Sequence, residues 1–86
     1  MPLFAVIALK DSAQAVDEAV SRLSAEKYKI EPGKWIVNSE ATTAKELSAQ
    51  TGLRETHTHL VLSFRGYSGR SQPDLWEWLA AQSEKN

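Results

Sequence analysis

Along this chain the apolar residues switch between two periods, and the switches mark the elements. Residues 3–9, LFAVIAL, are apolar at every position. A strand covered on one face alternates apolar with polar residues, so an unbroken run predicts a central strand covered on both. In residues 11–27 the period lengthens. Val16, Val20 and Leu23 stand at i, i+4 and i+7, with Ala19 widening the stripe, which is the pattern of an amphipathic helix on a sheet. Asp11 is placed to be its N-cap, and Gln14 completes a capping-box spacing.

Residues 28–38, YKIEPGKWIVN, predict a hairpin. The turn dipeptide Pro32-Gly33 separates Tyr28 and Ile30 from Trp35, Ile36 and Val37. The first arm is short enough to leave its regularity open. Thr43 and Glu46 form a second capping box, and Gly52 stands where a left-handed C-terminal residue is needed, with Leu53 as its apolar contact. Residues 58–65, THLVLSFR, alternate again. Leu60, Leu62 and Phe64 follow Thr58 on one face; His57, His59, Val61, Ser63 and Arg65 take the other. Ser71 and Asp74 make a third capping box, with Pro73 in the first turn of a helix over about residues 72–83.

Strand, helix, hairpin, helix, strand, helix is the order of a split βαβ. The expected fold is therefore an α+β, ferredoxin-like sandwich with an extra C-terminal helix, one domain over residues 1–86. If the first hairpin arm is not a strand, the alternative is a three-stranded open α/β sheet.

Composition narrows the function classes. The chain has no cysteine, so it has no disulfide and no thiolate metal site. Ten basic and eleven acidic residues give a net charge of −1, which argues against an extended nucleic-acid groove but leaves room for a local patch. No apolar run reaches the ~20 residues of a membrane span, and LFAVIAL lacks the flanks of a signal peptide. A cytoplasmic location without membrane contact is expected. A domain this short has a small core, and with nothing to staple it, pairing with a second copy is the expected reinforcement.

The stretch RGYSGRSQPDLWEW, residues 65–78, carries the candidate binding chemistry. Gly66-x-x-Gly69 joins a strand to a helix rather than two helices, and no Gly-Lys-Ser/Thr precedes the helix, so neither common nucleotide loop is present. Tyr67, flanked by Arg65 and Arg70, offers a stacking surface for a single-stranded nucleic acid; the alternative is a tight turn made by the two glycines, with both arginines solvated. Leu75, Trp78 and Leu79 form one helical stripe, which assigns Trp78 to the core. Trp76 points elsewhere and is the expected subunit contact. His57 and His59 lack a third ligand, so no metal or other cofactor is expected.

The element order and the ending Leu9-Lys10-Asp11 of the first strand resemble the small dimeric ferredoxin-like subunit of CRISPR adaptation complexes, over about residues 3–65. That family ends its first strand in tyrosine-aspartate, where this chain has Lys10-Asp11. The resemblance implies pairing through the sheet region and an alternative activity, metal-dependent nuclease with paired Asp11 residues across a dimer. The leading expectation is a small homodimeric, non-enzymatic interaction module, with Asp11 in a structural role.

Overall fold

The computed structural model describes residues 3–53, 57–70 and 73–85. It is a small α+β fold with strands β1 (Leu3–Ala8), β2 (Glu26–Glu31), β3 (Lys34–Asn38) and β4 (His59–Phe64). The helices are α1 (Ala13–Ser21), α2 (Ala44–Thr51) and α3 (Pro73–Lys85). The four strands form one antiparallel sheet in the order β2-β3-β1-β4. β1 and β2 therefore run parallel, with β3 between them. β2 is a regular six-residue strand with a bulge between Lys29 and Glu31, which removes the three-stranded alternative.

β1 is central, as its unbroken apolar run predicts, and its alternate residues enter two cores. Phe4 and Val6 pack with Val16 and Val20 of α1, Trp35 and Val37 of β3, and Leu47 of α2. Leu3 packs on the opposite face with Ile36 of β3 and Leu75 and Leu79 of α3. The last helix thus folds back over the second face, making three layers.

α1 differs from its expected course at both ends. Its N-cap is Ser12 rather than Asp11, and no side chain caps it. Lys10, with φ of 55°, turns the chain so that Asp11 is an exposed turn residue. The helix stops at Ser21 instead of 27. Leu23 N–H donates to Val20, a tightened final turn, and the Lys27 ammonium donates to the carbonyls of Leu23 and Ala25. The corner is satisfied there, and Glu26 and Lys27 are released to β2. α2 follows its expected signals in part: Thr43 Oγ1 accepts from Glu46 N–H at 3.0 Å and Gly52 closes the helix at φ 71°, while the Glu46 carboxylate accepts from the N–H and hydroxyl of Thr42 instead of the Thr43 N–H. Ser71, half of the third capping box, lies outside the described residues.

One polar clasp fixes the hairpin to α1. Asp17 Oδ1 accepts from Gly33 N–H and from the Trp35 indole, each at 2.8 Å, and Oδ2 pairs with Lys29 at 3.2 Å. Gly33 has φ 81°, and a Cβ there would stand 2.8 Å from Ala8 Cβ and 3.1 Å from Ala13 Cα. Only glycine gives both the turn and the close approach. Burial works to raise the Asp17 pKa. The hydrogen bonds from Gly33, Trp35 and Lys29, with the charge of Lys29, outweigh it and hold the carboxyl below its ordinary value.

Candidate functional site

α3 covers only part of the second face. Its buried stripe is Leu75, Leu79 and Gln82, and it lies over Leu3, Ile36, Tyr28, Ile30 and Phe64. Gln82 accepts from Asn38 Nδ2, a buried link from helix to sheet. Further along the same face, Ala5 pairs with Leu62, and Ile7 with Leu60. Ala5 and Ile7 are half-buried; Leu60 is 43% exposed and Leu62 47%. The leucine row of β4, the most apolar row in the strand, is therefore the outward one. Val61, on the other face, packs into the α1–α2 core.

The loop 65–70 continues this face. Tyr67 stacks on Trp76 with ring centroids 6.1 Å apart and 12° between planes, and meets the edge of Phe64 at 6.3 Å. One side of its ring is thereby occupied, while the residue stays 43% exposed. Arg65 and Arg70 are exposed and enter no ion pair among the described residues. Phe64, Tyr67 and Trp76 thus adjoin one end of the leucine row, and Arg65 and Arg70 are exposed in the same loop. Trp78 is half-buried and tilts against Tyr28 at 5.9 Å. This corrects its assignment to the core: the two tryptophans flank the buried stripe symmetrically, and leucines fill its centre.

Other chemistry-bearing groups are dispersed. Asp11 caps nothing and lies in the β1–α1 turn. His57 is exposed outside β4, so the two histidines do not share a strand face. His59 is half-buried; its Nδ1 lies 3.0 Å from the His57 carbonyl and must donate to it. In the neutral ring Nε2 then accepts from the Ser48 hydroxyl at 2.8 Å. The serine–histidine contact ties α2 to β4. No group of three or more His, Cys, Asp or Glu suited to a metal is found among the described residues. A cleft of about 620 Å³ at the opposite end of the sheet is lined by Leu23, Glu26, Asn38, Glu40, Glu46 and Gln50, among others. Its carboxylates would disfavour an anionic ligand.

Sequence reasoning missed two features. The alternation in β4 marks two faces but not which one the protein covers. Asp17 reads as one more polar residue on a helix surface, and the only hint of its role is its proximity in the fold to Gly33 and Trp35. No helix among the described residues is long and apolar enough to cross a membrane. No protein-family model matches the chain, and neither a curated protein nor a solved structure matches it.

Proposed function

We propose that this chain is a small homodimeric, non-enzymatic binding module of ferredoxin-like architecture, acting through the open half of its sheet and the adjoining loop 65–70. The strand order β2-β3-β1-β4, with β1 and β2 parallel around β3, supports the split βαβ reading, α3 being the addition. The observation that carries the function is the exposure of Leu60 and Leu62 beside half-buried Ala5 and Ile7. A contiguous apolar face bordered by aromatic residues is the usual mark of a protein-binding surface. The exposure of Arg65 and Arg70 in the same loop as Tyr67 favours a second reading, a short single-stranded nucleic acid stacked there.

Native mass spectrometry of the freshly purified protein tests both readings. The expected spectrum is a multiple of the chain mass, with or without a bound macromolecule, and Leu60→Lys with Leu62→Lys should abolish whatever association is seen. A bare monomer unaffected by the lysines would overturn the proposal. Quenching of Trp76 fluorescence by oligonucleotides, lost in Arg65→Ala with Arg70→Ala, would select the second reading.

A further inference from the structure

The two edges of the sheet are built to opposite rules. β2 reads EKYKIE: four of its six residues are charged, and a bulge interrupts it. These are the devices by which proteins keep a free edge from pairing with another chain. β4 reads HLVLSF, with no Asp, Glu, Lys, Arg or Pro and an unbroken register with β1. Its one titratable side chain, His59, is engaged with Ser48.

The ladder also shows which backbone groups that edge offers. Leu9 N–H donates to the Thr58 carbonyl at 3.0 Å, and Ala8 N–H turns the other way, to Gly33. Antiparallel ladders alternate, so residues 58, 60, 62 and 64 turn their backbone toward β1. His59, Val61 and Ser63 therefore present N–H and C=O outward.

We propose that a second copy of this chain docks along this edge, with the two β4 strands antiparallel about a two-fold axis at Val61. The inference rests on the binding-module reading and deepens it by naming the partner and the register. Centred on Val61, all three outward residues find hydrogen-bonding mates, Val61 with the partner's Val61 and His59 with the partner's Ser63. The register also sets Leu60 opposite the partner's Leu62 in a non-hydrogen-bonded pair, where side chains approach closest. The leucine rows of both copies merge into one stripe across an eight-stranded sheet. An uncharged strand meets its own copy without like-charge repulsion, which the β2 edge could not do. The same axis puts the two Leu9 residues, level with Thr58, roughly 20 Å apart along the strands, and the Asp11 turns farther still. Two Asp11 carboxylates so separated cannot share a metal ion, so this dimer excludes the paired-aspartate nuclease.

The chain has no cysteine, which makes the test direct. Val61→Cys should form a disulfide-linked species of twice 9.6 kDa under mild oxidation, because hydrogen-bonded pairs bring Cα atoms within disulfide reach. Lys45→Cys, exposed on α2, should not. Ser63→Pro deletes an outward N–H and no bond to β1. It should leave circular dichroism unchanged while the protein sediments as a monomer at micromolar concentrations where the parent is a dimer. A parent that stays at 9.6 kDa throughout, or a Ser63→Pro chain that dimerises as well as the parent, overturns the pairing. A monomeric parent that still copurifies with a foreign protein or nucleic acid overturns only the pairing. A β4-linked dimer that holds nothing else supports the pairing and overturns the wider binding role.

Discussion

Leu3 and Phe4 are neighbours in β1 and both are buried, yet they belong to faces finished to different degrees. On the Phe4 face two helices close the sheet and Asp17 clamps the hairpin turn to one of them. On the Leu3 face one helix closes one part and leaves leucines in water. The difference shows that burial follows from where a helix can reach rather than from how apolar a strand is. α3 lies toward β2 and β3, so no helix among the described residues covers the far part of β1 and β4 on that face.

Substitutions can break this contrast, beginning with the closed face. Phe4→Ala removes the largest side chain wholly enclosed there and should cost about 3–5 kcal/mol, most of what a domain this small holds. Urea unfolding followed by circular dichroism would measure it. On the half-closed face, Leu79→Ala should cost about 2–4 kcal/mol and act locally. Trp76 and Trp78 fluorescence should shift red as α3 loosens, before the remaining sheet signal is lost.

Asp17→Ala leaves the Gly33 N–H, the Trp35 indole and Lys29 without their shared acceptor, and should cost about 1.5–3 kcal/mol. Its pH dependence has a definite sign. The folded carboxyl titrates below its unfolded value, so its stabilisation is complete above pH ~4 and is lost as pH falls through the lowered folded pKa. Asp17→Asn should flatten the acid limb of a stability–pH curve, and an unchanged limb would show that the clasp does not depend on charge. Trp76→Ala should cost about 0.5–1.5 kcal/mol beyond its lost area and free Tyr67, seen as greater Tyr67 exposure to quenchers. Leu62→Ala should change stability by no more than about 0.5 kcal/mol, while weakening association.

These particulars show what could be read from residues alone. Thr43, Glu46 and Gly52 act through bonds a few residues away, and their roles were legible as spacing. The Pro32-Gly33 turn was legible for the same reason, and the central place of LFAVIAL from its unbroken apolar run. Asp11 was misjudged because capping depends on where the chain turns, and with Lys10 in a left-handed conformation the N-cap falls on Ser12. Trp78 was misjudged because a stripe of three positions does not show which one lies at its centre. The open leucines and the Asp17 clasp depend on partners brought together only by the fold.

The clasp has a consequence in time. Asp17 bonds residues 16 and 18 positions away, whereas the link from Thr58 to Leu9 spans 49. Closing longer loops costs more entropy, and contacts of short separation form first. The β1–α1–β2–β3 unit is therefore expected to assemble before β4 arrives, which would leave β1 an unpaired edge during that interval. In concentrated refolding mixtures the HLVLSF segment of one molecule can fill that gap in another, and the exchange can be mutual. Each molecule then carries a full set of native contacts, one strand supplied by its neighbour, and the pair can separate only by unfolding.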